Sequence, residues 1–140
     1  MVGMHGGDIY TNKVRLDFSV NINPLGIPKE VQQALKRAVE KCGQYPDINA
    51  SALRHAVAGM LNIPEESLIF GNGASELFMA VMHAIRPGRV LLPVPSFYGY
   101  EYAAVAVQSR IHTVYLKEDR QYLPDEELFG ELTEDIDVLF

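Results

Sequence analysis

The sequence predicts an α/β fold in which an N-terminal arm and helices precede part of a mainly parallel sheet with helices on its faces. Two observations predict it. From residue 68 onward, short apolar runs alternate with segments of helical period, and the connections between them are short. Length and composition agree: 140 residues, 48% hydrophobic and 21% charged, suit one globular unit large enough for a single core.

The elements follow in order. The first sixteen residues hold the adjacent Gly6 and Gly7 and no clear period, which reads as an extended arm. "LDFSVNINPLGIP" is a short apolar alternation ending in a Pro/Gly turn. A helix is expected from Pro28, because Val31, Leu35, Ala38, Val39 and Cys42 recur at helical spacing, with Gly43 placed as a C-terminal cap. After the polar loop "QYPDINA", a second helix should start near Ser51, carry Leu53, Ala56, Val57, Met60 and Leu61 on one face, and end before Pro64. Then come a strand over 68–70, a helix over 75–85, a strand over 90–92 and a helix over about 98–107. A strand over 110–116 and a helix over 125–132 follow, and "DVLF" opens another strand. Residues 1–50 are assigned to the arm and first helix and 51–140 to the first part of the sheet domain. A parallel strand lacking its neighbour exposes an edge, so the chain is expected to be the N-terminal portion of something longer.

Composition excludes several classes of function. No apolar run approaches the roughly 20 residues that span a bilayer, and "MVGMHGGDIY" has neither part of a secretory signal. Cys42 is the only cysteine, so no internal disulfide forms and a cytoplasmic location is expected. The net charge of -6 is concentrated in residues 118–140, which hold nine acids and one base. "DEELFGELTED" reads most simply as a solvated helix face. No Lys/Arg stripe with interleaved aromatics is present, which argues against nucleic acid as a partner.

The chemistry centres on "LIFGNGASELFMAV". In an open parallel sheet, ligands bind beyond the carboxyl ends of strands, and "GNGAS" falls there. Gly71 and Gly73 would allow positive φ and close approach, while Ala74 and Ser75 would present unpaired N–H groups at a helix start, a seat for phosphate. The plain alternative is a tight turn with Ser75 as an ordinary N-cap. A dinucleotide fingerprint fits poorly, since Glu76 stands where the third glycine belongs. A P-loop fails, because no lysine occurs between Lys41 and Lys117.

The neighbouring loop and helix start, "PVPSFYGYEYAA", bring Phe97, Tyr98, Tyr100 and Tyr102 toward the same edge. Such rings are commonly core. Beside a phosphate seat they would also suit a phosphorylated planar ring. His55, His83 and His112 lie in helix or strand patterns and suggest neither catalysis nor a metal site. His5, beside two glycines in the arm, is a candidate for function.

Taken together, "HGGDIY", "DFSVNINPLGIP", "QYPDINASALRHAVA", "FGNGASELF" and "PVPSFYGYEYAA" resemble, in order, the N-terminal part of fold-type-I pyridoxal-phosphate enzymes. The similar branch holds the histidinol-phosphate aminotransferases and threonine-phosphate decarboxylases. The resemblance implies the α/β/α sheet of a pyridoxal-phosphate-dependent transferase large domain, truncated here, with pyridoxal 5'-phosphate as cofactor. It implies that Gly73, Ala74 and Ser75 seat the cofactor phosphate and that Phe97 stacks on its ring. Tyr45 would reach the phosphate of a neighbouring subunit, making the full-length enzyme a homodimer. Asn21, Asn23 and His5 would contact a small phosphorylated amino-acid substrate. "HGG" with "DFSVNINPLG" is more typical of the decarboxylases, which serve cobalamin biosynthesis, than of the aminotransferases.

The resemblance also implies what these residues omit. The family's Schiff-base lysine, the acid facing the pyridine nitrogen and the carboxylate-binding arginine would all fall after Phe140, so no catalytic residue is assigned and the 140 residues alone are expected to be inactive. The rival expectation, from another class, is a non-catalytic phosphate-binding or assembly module.

Overall fold

The computed structural model describes residues 6–140. They form two compact units, residues 6–69 and Phe70–Phe140.

The first unit is built from turns and two helices. Helix α1 (Lys29–Ala38) starts directly after Pro28, whose fixed φ suits a helix entrance, and tightens into a 3-10 turn at Val39–Lys41. Gly43 does not adopt the positive φ expected of a capping glycine. The last turn is closed instead by the Cys42 N–H donating to the Val39 carbonyl. No residue of α1 is buried.

Helix α2 (Ser51–Leu61) begins and ends where its sequence predicts, by different means at each end. Ala50 is left-handed and offers no side-chain cap, so Asp47 reaches forward and accepts the Ser51 N–H at 2.7 Å. Asn62, also left-handed, closes the C-terminus ahead of Pro64. The inward face differs from the predicted one. Ala58 is buried and Arg54 and Val57 are half-buried, while Leu53 and Met60 are exposed. The reason is Arg54, whose guanidinium donates to the carbonyls of Glu65 and Leu68 and turns that side of the helix toward the following segment.

The second unit is a layered α/β structure. Its elements are α3 (Ala74–Ile85), β1 (Arg89–Val94), α4 (Tyr98–Ala106), β2 (Arg110–Tyr115), α5 (Glu126–Gly130) and β3 (Val138–Leu139). The three strands are parallel in the order β2-β1-β3, with Val90 opposite both Ile111 and Val138. The predicted strand at 68–70 is absent: Leu68 is extended, but among the described residues 68–70 pairs with none of the strands of the sheet.

Strand β1 runs on through Pro93, past the predicted end at Leu92. The Arg110 and Leu116 N–H groups donate to Gly88 and Val94 on one edge of β1, and the Asp137 and Phe140 N–H groups donate to Arg89 and Leu91 on the other. Odd-numbered residues therefore face β3. Pro93, which has no N–H, lies on that side beyond the two-residue ladder, so no bond to β2 is lost.

Side chains alternating across β1 build two cores. On one face Val90 packs with Met82 of α3 and Ala103 and Ala104 of α4, surrounded by Phe78, Val107 and Ile111. The two alanines let α4 approach the sheet closely. On the other face Leu91 packs with Val114 and with Leu128 of α5. Full burial of a side chain such as Met82 or Leu91 stabilises by about 1.5–3 kcal/mol.

The acidic tail is more than a solvated face. Asp125 caps α5 by accepting the Glu127 and Leu128 N–H groups, which shortens the predicted helix at its start. Glu127 pairs with Lys117, Glu131 with His112 and Asp135 with Arg89. Asp137 accepts the N–H groups of Gly88 at 2.7 Å and Arg89 at 3.0 Å, joining the tail to the start of β1. Among the described residues no helix is long and apolar enough to cross a membrane.

Candidate functional site

The turn before α3 is set by two glycines in different ways. Gly73 is the N-cap residue, with φ 86° and ψ 164°, a combination open almost exclusively to glycine. A Cβ there would meet nothing within 4 Å. Gly71 does not have the positive φ expected of it. Its constraint is space, since a Cβ would lie 2.9 Å from Leu77 Cδ2.

Ser75 is the second residue of the helix and not its cap, which overturns the plain N-cap alternative. Gly73, the cap residue, has no side chain with which to cap α3. The first-turn N–H groups of Ala74 and Ser75 therefore point out of the helix start with no side-chain acceptor from the cap, where the macrodipole favours an anion.

Phe97 is the N-cap residue of α4 and 41% exposed. Its ring lies 5.6 Å from Tyr100, nearly perpendicular, and 6.3 Å from Phe78. Phe78 is one turn into α3, so these contacts join the start of α3 to the start of α4. Tyr100 in turn stacks on Phe140 at 4.8 Å. Phe78, Tyr100 and Phe140 form an aromatic cluster, and Phe97 is its partly open edge. Gly99 makes room for it, because a Cβ at that position would collide with the Phe97 ring.

The structure thus brings Gly73, Ala74, Ser75 and Phe97 together in one unit. Asn21, Asn23 and Tyr45 belong to the other. Asn23 is engaged locally, accepting the Leu25 N–H and donating to the Gly26 carbonyl in the "NPLG" turn. Tyr45 is 95% exposed. His5 lies outside the described residues. The other histidines have partners of their own: His55 with Glu65, His83 with the Met79 carbonyl and His112 with Glu131. Among the described residues no three His, Cys, Asp or Glu side chains converge as a metal site.

Of the residues that build this arrangement, the sequence alone points to Phe97 and Tyr100 but not to Phe78 or Gly99. The signal was present in the helical offset from Ala74 to Phe78 and in the density of aromatics after Pro95. Glu76 carried a subtler signal, an acid three residues after the cap glycine.

No family model matches the chain. Individual relatives do. The threonine-phosphate decarboxylase of Salmonella typhimurium is 33% identical over 125 residues, which cover 89% of this chain and 34% of that enzyme. Histidinol-phosphate aminotransferase 2 of Carboxydothermus hydrogenoformans is 37% identical over 71% of this chain and 28% of its own length. The chain is homologous to part of these enzymes. The crystal structure of the histidinol-phosphate aminotransferase from Clostridium acetobutylicum superposes with a TM-score of 0.71 at 31% identity, covering 86% of this chain and 35% of that one. The α/β class expected from the sequence, part of a pyridoxal-phosphate-dependent aminotransferase fold, is the one its structural neighbours have. The homologous segment spans about a third of the length of these relatives.

Proposed function

We propose that this chain carries the phosphate seat and ring platform of a pyridoxal-phosphate-dependent enzyme acting on a phosphorylated amino acid, with threonine-phosphate decarboxylation as the leading activity. The observation that carries the reading is the ring contact of Phe78 with Phe97, which sets a partly exposed aromatic side chain beside an uncapped helix start preceded by an open glycine. The residues fit the cofactor. Ala74 and Ser75 would bind the phosphate through backbone N–H groups, Gly73 would leave room for its oxygens, and Phe97 would lie against the pyridine ring.

When bound, pyridoxal phosphate supplies an electron sink for bonds at the substrate α-carbon. The protein's part here is to hold and orient. A phosphate fixed at the start of α3 and a ring held by Phe97 would define which face of the cofactor meets the substrate. Asn21, Asn23 and His5 would contact the substrate. Tyr45 would complete the phosphate seat of a second copy, making the working unit a homodimer, in keeping with the exposure of its ring. None of the five lysines suits a link to the cofactor on this reading. Lys117 is bonded to Glu127, Lys29, Lys36 and Lys41 sit on the exposed first helix and its 3-10 extension, and Lys13 is in the arm.

The second reading is histidinol-phosphate transamination, which other relatives favour. "HGG" followed by "DFSVNINPLG" favours the decarboxylase. Carbon dioxide release from threonine phosphate, measured against amino-group transfer from histidinol phosphate in the complete gene product, separates the two.

Cofactor binding is tested by equilibrium dialysis with pyridoxal 5'-phosphate. Ser75→Glu puts a negative charge at the seat and should weaken retention about tenfold or more. Phe97→Ala should lose about 1 kcal/mol of binding and shift the cofactor absorbance. Unchanged retention in both variants would refute the assigned site.

A further inference from the structure

Glu76 is the acid in the first turn of α3, close to where the phosphate of the proposed cofactor would sit. A carboxylate beside an anion seat is unfavourable on charge alone. Its geometry offers a reason for it to be there: Glu76 Oε2 accepts the backbone N–H of Asn72.

In a capping box, a glutamate three residues into the helix accepts the N–H of the cap residue itself. Here the cap is Gly73, whose own N–H is turned back to the Gly71 carbonyl at 2.9 Å. The glutamate therefore reaches one residue further and closes the turn from outside. Gly71 is enclosed by the same group, since a Cβ there would lie 3.2 Å from Glu76 Oε2 as well as against Leu77. The turn is thus held by one bond inside it and one bond across it, and Gly73, the residue with the least intrinsic conformational preference, lies between them.

We propose that Glu76 is a positioning residue of the phosphate seat: its carboxylate fixes the Asn72–Gly73 turn, so that the first-turn N–H groups of α3 remain directed at the cofactor phosphate. This rests on the cofactor reading above. Glu76 touches neither the cofactor nor the substrate; it acts through the backbone of the turn. A placeholder that merely occupies the turn until phosphate arrives, or a simple repulsive charge, makes the opposite prediction, because removing it would then tighten binding.

The experiment compares Glu76→Gln and Glu76→Ala with the unaltered protein, using pyridoxal 5'-phosphate and, as a probe without the phosphate, pyridoxal. Glutamine keeps a carbonyl acceptor for the Asn72 N–H and removes the charge. Its affinity for pyridoxal phosphate should equal or modestly exceed that of the unaltered protein. Alanine removes both and should weaken pyridoxal phosphate about tenfold while leaving pyridoxal unchanged. Thermal melts accompany each variant, and glutamine keeps the test valid if alanine unfolds the helix start. Tighter binding of pyridoxal phosphate by both variants, or equal losses for both probes in folded protein, would overturn the proposal. Failure of the unaltered protein to prefer pyridoxal phosphate over pyridoxal would overturn the cofactor reading as well. A normal preference with an unaffected alanine variant would overturn the role of Glu76 alone.

Discussion

Residues 6–69 and residues 70–140 are similar in length and opposite in construction. In the second region Met82, Val90, Leu91, Ala103, Ala104, Val114 and Leu128 are buried around a sheet; in the first, the only buried hydrophobic residue is Ala58. The first region is shaped by short-range bonds. Asp8 accepts the Tyr10 and Thr11 N–H groups, Asp17 that of Ser19, and Asp47 those of Asn49 and Ser51. These Asx-type turns fix local direction without a core. Turn chemistry and burial are therefore separable here, one region having much of the first and the other most of the second.

The largest contrast is expected from truncating apolar side chains. Met82→Ala should destabilise the second region by about 2–5 kcal/mol, whereas Leu35→Ala on the exposed stripe of α1 should stay within about 0.5 kcal/mol. Urea unfolding with hydrogen exchange on each region measures both. A cost at Leu35 equal to that at Met82 would show that α1 has a buried partner and would break the comparison.

A smaller effect is expected where polar bonding supports the layered region. Asp137→Ala leaves the Gly88 and Arg89 N–H groups without their carboxylate and should cost about 1–2 kcal/mol, with faster amide exchange at the start of β1. No change in exchange at those two amides would make the layered region independent of its acidic tail.

The smallest effects are electrostatic. Hydrogen bonds to Thr11 hold the Asp8 carboxyl below its usual 3.8, those to Ser19 do so for Asp17, and those to Ser51 and Asn49 for Asp47. A depressed carboxylate contributes stability above its unfolded value and loses it as pH falls through the lower folded value. The three turns should therefore persist below pH 3.8 and loosen on further acidification. Lys117 is raised above 10.5 by its bond to Glu127, so that contribution is complete below 10.5 and lost as pH rises through the higher folded value. All four groups are exposed and should move overall stability little. Carbon-detected carboxyl titrations read the aspartates directly. Midpoints at or above 3.8 would show that the turns do not hold.

Much of this layout is legible in the sequence, and the exceptions in the second region largely share a cause. The starts of α2 and α4 and the strands β1, β2 and β3 follow from local pattern, because apolar period and punctuation are local signals. The misread elements depend on partners far along the chain. "LIF" at 68–70 has strand composition but pairs with no strand among the described residues, and β1 extends through Pro93 because the edge Pro93 faces has a ladder only two residues long. The pairings of Glu131, Asp135 and Asp137 span 19 to 49 residues, beyond what a helical wheel displays. At the candidate site, residue types suggested a phosphate seat and a ring platform. That Gly73 rather than Ser75 caps α3, and that Phe78 links the two loops, required the fold.

The cap glycine has a further consequence that concerns handedness. At φ 86° and ψ 164°, Gly73 occupies a backbone conformation natural to a D-amino acid. D-alanine introduced there by chemical ligation should be accommodated, and by narrowing the unfolded ensemble it should stabilise the turn where L-alanine would strain it. Gly71 should behave differently, because its limit is the nearby Leu77 side chain and not the sign of φ. Two residues apart, one glycine serves as an achiral substitute for a mirror-image residue and the other as the smallest available side chain.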